Sequence, residues 1–238
     1  MVFTMVIGLP PCLAKKIKQG KTMKNRLKTL WTENRTFILF IALMIVFRSA
    51  LADWNEVPTG SMKPTIVEGD RIWVNKLAYD LRIPFTHFSL LKRGDPKRGD
   101  IVVFDSEVSD KRLVKRVVGI PGDTIRLEDN VLYINGFALD YQEISVSDSS
   151  TDKREDLLGV KYVVRVDNSS SQLSSFSAVV VPVDHYLAMG DNRDNSADSR
   201  VIGFVPRNEI IGRTKSVVLS FNYDNYYIPR SDRFFIPL

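Results

Sequence analysis

Apolar and polar positions change their pattern twice along this chain. Residues 37–47, Phe-Ile-Leu-Phe-Ile-Ala-Leu-Met-Ile-Val-Phe, form an unbroken apolar run. Extended over 36–52 the run has 17 residues, with Arg48 its single charge. That length is near the lower limit for a helix that spans a bilayer. Beyond it come short apolar or alternating runs, the signature of strands. They predict strands near 71–74, 100–104, 113–120, 124–127, 131–134, 161–166, 178–183, 186–189 and 216–221. Asn135-Gly136 directly after one of them is a strong hairpin turn. Gly-Asp recurs at 69–70, 94–95, 99–100, 122–123 and 190–191, which fits turns that deliver the chain into and out of strands. The Arg-Gly-Asp triplets at 93–95 and 98–100 fall within the same turns. The predicted class is mainly β and antiparallel, behind one N-terminal helix. The serine-rich stretch 145–177 reads as loops around a modest strand pair. The last aromatics, Tyr223, Tyr226, Tyr227, Phe234 and Phe235, are expected to finish a core, with an interfacial membrane contact the lesser reading.

Charge sharpens this division. The chain has 238 residues, room for one ordinary domain plus extras. Its net charge is +5, yet residues 1–35 hold eight Lys/Arg and one acid, Glu33, so residues 36–238 are left at −2. The basic excess thus belongs to the tail, and no nucleic-acid-binding face is expected. Basic residues precede the apolar run and do not follow it, which orients the N-terminus to the cytoplasm. The expected organisation is a basic tail over 1–35, a transmembrane anchor over 36–52 and a β domain over 53–238. Residues 53–60 then lead from the membrane to the domain. A core packed by the run alone fits less well with its polar flanks. Cys12 is the only cysteine, and His87 and His185 are the only histidines. An intrachain disulfide is excluded, and no metal or cofactor is expected.

Two residues carry candidate chemistry. Ser61 lies in Pro58-Thr59-Gly60-Ser61-Met62-Lys63-Pro64-Thr65, and Lys115 lies 54 residues on, in Arg112-Leu113-Val114-Lys115-Arg116-Val117-Val118-Gly119. A serine hydroxyl is a weak nucleophile until a base takes its proton. Lysine is that base only where burial lowers its pKa, because the ammonium has no free lone pair. In a strand over 113–118, Leu113, Lys115 and Val117 share one face and Arg116 is expected to reach solvent. Taken singly, Ser61 reads as a turn residue and Lys115 as an ordinary strand lysine.

Two further blocks change that balance: Arg98-Gly99-Asp100-Ile101-Val102-Val103-Phe104, and Gly190-Asp191-Asn192-Arg193-Asp194-Asn195-Ser196-Ala197-Asp198-Ser199-Arg200 followed by Gly203-Phe204-Val205-Pro206. In order and spacing the four blocks resemble the type I signal peptidases, the bacterial leader peptidase family, from about Pro58 to about Val218. The resemblance implies an antiparallel, barrel-like β fold with a variable insertion at about 128–185. Some members carry a cysteine pair there, which this chain lacks. It implies Ser61 as nucleophile and Lys115 as general base. Thr59, a position where many relatives have serine, and the Ser61 N–H would form the oxyanion hole. Ser196 would orient the lysine, with Asp198 and Arg200 a supporting ion pair. Asp191, Asn192, Arg193 and Asp194 are expected to shape a turn. Val57, Met62, Ile66 and Val114 match walls of shallow pockets that admit small residues before the scissile bond, although all four, Ile66 included, also read as plain core.

The implied substrates are signal-peptide-bearing preproteins, bound as an added strand beside membrane lipid. The implied location is the bacterial inner membrane, single-pass, with the catalytic domain periplasmic and the enzyme a monomer. Ala50-Leu51-Ala52 after the apolar run also imitates a cleaved signal peptide. A retained anchor is favoured because tethering concentrates the enzyme beside its substrates. Translation starting at Met23 is a related reading. The rivals are a Ser-His-Asp hydrolase using His87 or His185, a self-cleaving Ser/Lys repressor, a specialised Ser/Lys protease with a single substrate, and a tethered β domain without activity. No G-x-S-x-G elbow or DNA-binding segment supports the first two.

Overall fold

The structure, a computed structural model, describes residues 11–84, 86, 88–169, 171–223 and 225–238, with the side chains of 11–27, 30, 47, 50 and 52 left aside. His87, residues 1–10 of the basic tail and the side chains of Cys12 and Met23 lie outside the described residues. Contacts group the chain into two units, Met1–Phe47 and Arg48–Leu238.

The helix α1 (Pro11–Ala50) carries the apolar run. Proline suits a first helical position, where its missing N–H is not needed. Among the described residues no helix is long and apolar enough to cross a membrane.

The second unit is built from antiparallel strands. Its first half contains β1 (Ala52–Glu56), β2 (Asp70–Asn75), β3 (Asp80–Arg82), β4 (Ser89–Lys92), β5 (Ile101–Ser106), β6 (Lys111–Gly119), β7 (Thr124–Glu128), β8 (Val131–Ile134) and β9 (Phe137–Ala138). The second half contains β10 (Asp140–Val146), β11 (Ser150–Leu157), β12 (Val160–Asp167), β13 (Phe176–Val180), β14 (His185–Met189), the short helix α2 (Ser199–Ile202), β15 (Val205–Pro206), β16 (Ile210–Asn222), β17 (Ile228–Pro229) and β18 (Ile236–Pro237). The main sheet runs β1-β2-β16-β5-β6-β14-β15, with β17 and β18 also paired to β16. Ile101, Val102, Val103 and Phe104 are all buried, as befits a strand covered on both faces. β16 changes register between residues 210 and 212, 214 and 216, and 217 and 219. Such bulges bend the strand and increase its twist. Asn135 and Gly136 both take positive φ, 52° and 89°, the geometry of the predicted hairpin between β8 and β9.

Several expectations need correction. The lead at 53–60 begins as a strand: β1 pairs with β2, Trp54 opposite Trp73. The stretch read as loops around a strand pair holds a three-stranded sheet, β10-β11-β12. Its middle strand reads Ser-Thr-Asp-Lys-Arg-Glu-Asp-Leu, and the side chains it buries are Thr151, Glu155 and Leu157. Polar inward positions erase the hydrophobic alternation that reveals a strand. The strand expected over 178–183 ends at Val180 and pairs with β7. The C-terminal aromatics do not finish the core. Tyr226 is 92% exposed and Phe235 74%, while Ile236 and Leu238 pack against the cluster of Val57, Met62, Ile66, Ile72 and Val74.

Candidate active site

The loop after β1 is held in place from below and from the side. Met62 and Ile66 are fully buried in the cluster under the main sheet, and burying side chains of this size contributes about 1.5–3 kcal/mol each. The Val57 N–H donates to the Asp70 carbonyl and the Gly69 N–H to the Val57 carbonyl, which closes the loop onto the start of β2. Asn192 grips the other side. Its backbone N–H donates to the Ser61 carbonyl at 3.1 Å and its side-chain amide to the Gly60 carbonyl at 3.0 Å. Asp191 accepts from the Thr65 hydroxyl at 2.6 Å. Five hydrogen bonds and two buried anchors leave Ser61 little freedom.

Lys115 comes from β6, in register opposite Val102 of β5. Its Nζ lies 2.6 Å from the Ser61 Oγ. Burial pushes its pKa down to about 8, against the pull of the Asp198 and Asp191 carboxylates and with the aid of the Arg200 charge. The pair sits in a cleft of about 680 Å³ lined by Val57, Pro58, Thr59, Met62, Leu113 and Val114, and continuing to Trp54, Arg48 and Lys111. One wall is β1, the edge strand of its sheet. The other is the first half of β6, whose pairing with β14 starts only at Arg116. Two unpaired strand edges therefore face a common space that ends at a hydroxyl and an amine.

The remaining predicted residues distribute as follows. Thr59 is exposed and lines the cleft beside Ser61. Val57, Met62 and Val114 line it too; Ile66 has no exposed surface, is absent from the lining and belongs to the core. Asp198 and Arg200 form a buried pair, with Nη2 to Oδ2 at 2.6 Å and Nε to Oδ1 at 2.8 Å. Burial pushes the Asp198 carboxyl up, but the Arg200 guanidinium and the Gly190 N–H outweigh it and hold the group below its ordinary value. Ser196 is buried, and its hydroxyl makes no hydrogen bond to Lys115. It packs instead on Gly190. A Cβ there would lie 2.2 Å from the Ser196 Oγ and 2.4 Å from the Ser61 carbonyl oxygen, so only glycine fits.

Arg116 does not reach solvent. It is buried, donates to both oxygens of Asp191 at 2.9 and 2.7 Å, and stacks 3.9 Å from the centre of the Tyr162 ring. Nearby, Arg193 and Glu155 form a fully buried pair at 2.6 Å, with Tyr141 and Tyr162 also donating to Glu155. These buried contacts tie β11 and β12 to the segment after β14, hence to the grip on Ser61. Sequence reading missed them because Glu155 lies in a polar strand far from the recognisable blocks. His185 lines a different cleft, with Asp80, Arg82 and Arg207. Among the described residues, no group of three His, Cys, Asp or Glu side chains is placed to hold a metal.

Chemically, an amine that sheds its proton near pH 8 beside a hydroxyl can activate that hydroxyl for attack on a carbonyl. A cleft with two open strand edges offers main-chain partners to an extended peptide. Together they define a serine peptidase of the hydroxyl–amine kind.

The comparisons agree. The family described as signal peptidase, peptidase S26, matches residues 30–219. A signal peptidase I of Pseudomonas aeruginosa is 35% identical over 213 residues, 83% of this chain and 75% of the relative. Signal peptidase I T of Bacillus subtilis is 32% identical over 209 residues, 87% of this chain and 95% of the relative. A crystal structure of a signal peptidase I from Enterococcus faecalis is 29% identical and covers 50% of this chain and 97% of its own, at a TM-score of 0.33, which adds nothing to the fold. The chain belongs to the S26 signal peptidase family and is an enzyme, a serine endopeptidase.

Proposed function

We propose that the chain removes N-terminal signal peptides from exported preproteins, with Ser61 as nucleophile and Lys115 as general base. The observation that carries this reading is the 2.6 Å approach of the Lys115 amine to the Ser61 hydroxyl, in a cleft open to an extended chain. Neutral Lys115 takes the Ser61 proton as Oγ adds to the scissile carbonyl. The oxyanion forms beside the Ser61 N–H and the Thr59 hydroxyl. Lys115 then returns the proton to the leaving amine, and water releases the acyl group by the same route. Val57, Met62 and Val114 leave shallow apolar room, which favours small residues at the first and third positions before the cut. Incubation of the purified protein with one exported precursor, with the cut mapped by mass, tests the reading. Cleavage after an Ala-x-Ala-type site is expected, and an intact precursor would refute it.

Thr59→Ala should lower kcat with little change in KM. Loss of one oxyanion donor costs roughly 100- to 1,000-fold. An unaltered rate would mean that another group fills the role.

Residues 36–52 are proposed as a retained anchor in the bacterial inner membrane, N-terminus cytoplasmic and catalytic unit periplasmic. The large apolar side chains from Phe37 to Val46 are all at least 36% exposed, which suits lipid better than water, and the basic tail precedes them. The helix ends at Ala50, so 15 of these residues, 36–50, are helical and span about 22 Å, short of the roughly 30 Å hydrocarbon core. Local bilayer thinning and an interfacial Arg48 would close that gap. The full chain should resist alkaline carbonate extraction, and a chain starting near Asp53 should not. Release of the full chain into the soluble fraction would contradict the anchor.

A further inference from the structure

The cleft is not electrically uniform. Beside the apolar side chains near Ser61, its lining holds Arg48, Arg71, Lys111 and Arg112 against one acid, Glu56. Three of these cations are matched. Arg48 meets Asp53 at 2.7 Å, Arg71 meets Glu56 at 2.7 Å, and Arg112 meets Asp105 at 2.8 Å. Lys111 is exposed, and among the described residues no carboxylate partners it. An unmatched cation on the wall of a substrate cleft has its charge free for whatever enters.

Its position in the strand says which part of a substrate it meets. Lys111 and Lys115 are both on β6, four residues and about 13 Å apart, and period-two alternation puts them on one face. A precursor strand laid along this free edge, with the residue before the cut beside Lys115, therefore has a residue four positions away beside Lys111. The cleft extends from Ser61 towards Arg48, at the last turn of α1. If residues 36–52 are the anchor, the chain enters the catalytic unit from the membrane at Arg48, which lines the cleft. A signal peptide's hydrophobic segment precedes the cut and enters from there.

We infer that Lys111 is a specificity residue: it favours an acidic side chain, and disfavours a basic one, at the fifth position before the scissile bond. This rests on the signal peptidase reading and deepens it. The contribution is modest, because the ammonium is solvated. An exposed pair is worth up to about fivefold in a rate or binding constant, and salt screens it.

The test uses the full chain in detergent and three peptides with one small-residue cleavage site, differing only in Asp, Gln or Lys at the fifth position before it. With the wild-type protein at low salt, kcat/KM should fall in the order Asp, Gln, Lys, with about three- to fivefold between the extremes. High salt should compress the series. Lys111→Glu should reverse the order and Lys111→Gln should flatten it. Equal rates for the three peptides, or an order unchanged in Lys111→Glu, would overturn the role of Lys111 and leave the peptidase reading standing. Failure of the wild-type protein to cut even the Gln peptide would instead remove the reading on which the inference rests.

Discussion

Lys115→Arg should cut nothing, although it keeps a positive charge and nearly the length of the lysine. A guanidinium stays protonated at any accessible pH and offers no lone pair to the Ser61 hydroxyl 2.6 Å from the native amine. Ser61→Ala should be equally inert. Where nucleophile and base act as a unit, loss of either costs roughly 10⁶ in kcat. The wild-type rate should rise with pH through about 8 and level off above it, since only deprotonated Lys115 is competent. At pH 7 about one molecule in ten is then ready, against about one in 2,500 for an ordinary lysine. Stability has its own sign. The unfolded lysine holds its proton to about 10.4, above the folded value. Burial therefore costs stability in full below about 8, and the cost fades as pH rises towards the unfolded value. Lys115→Met should accordingly melt no lower than wild type at neutral pH, so that inactivity in the series is not a failure to fold. Near-normal turnover by Lys115→Arg, or an acidic limb that survives replacement of Lys115, would refute the assignment.

Glu155→Ala should destabilise the protein by about 3–5 kcal/mol, because it leaves Arg193 charged, fully buried and without its carboxylate. Arg193 already has two nitrogens, Nε and Nη1, without a partner, so it has nowhere to turn. The loss should reach activity as well. Arg193 follows Asn192, whose two hydrogen bonds hold the Ser61 loop. Equilibrium denaturation measures the first effect and kcat the second. Replacing both partners with apolar residues, Glu155→Leu with Arg193→Met, should cost less than the sum of the single changes. A Glu155→Ala protein as stable as wild type would show that the ion pair contributes nothing.

The sequence made the catalytic blocks legible because each puts unusual residues in a fixed order. Pro58 to Thr65 and Gly190 to Arg200 are rich in Gly, Pro, Asn and Asp, which announce tight turns, and Lys115 stands between apolar neighbours. Strands with a conventional hydrophobic pattern, such as β2, β5 and β8, could be read directly. What stayed hidden depends on pairing between distant segments. β11 buries Thr151 and Glu155, so its inward face looks like a solvated one. Arg116 lies on the face opposite Leu113, Lys115 and Val117 and so reads as the outward partner, but Asp191, 75 residues on, draws it inside. β1 follows directly on the apolar run, and only its register with β2 identifies it. The surface position of Tyr226 and Phe235 has the same origin, since nothing local tells an aromatic whether Ile236 and Leu238 have already filled the core.

The two open strand edges also act as a sieve in time. A segment can lie between β1 and the first half of β6 only if its own main-chain groups are free to pair with them. A bond inside a formed helix or sheet has spent those groups elsewhere and is invisible to the cleft, whatever residues flank it. On the proposed reading, processing therefore competes with the folding of the passenger around the cut, and proteins that have finished folding should be spared.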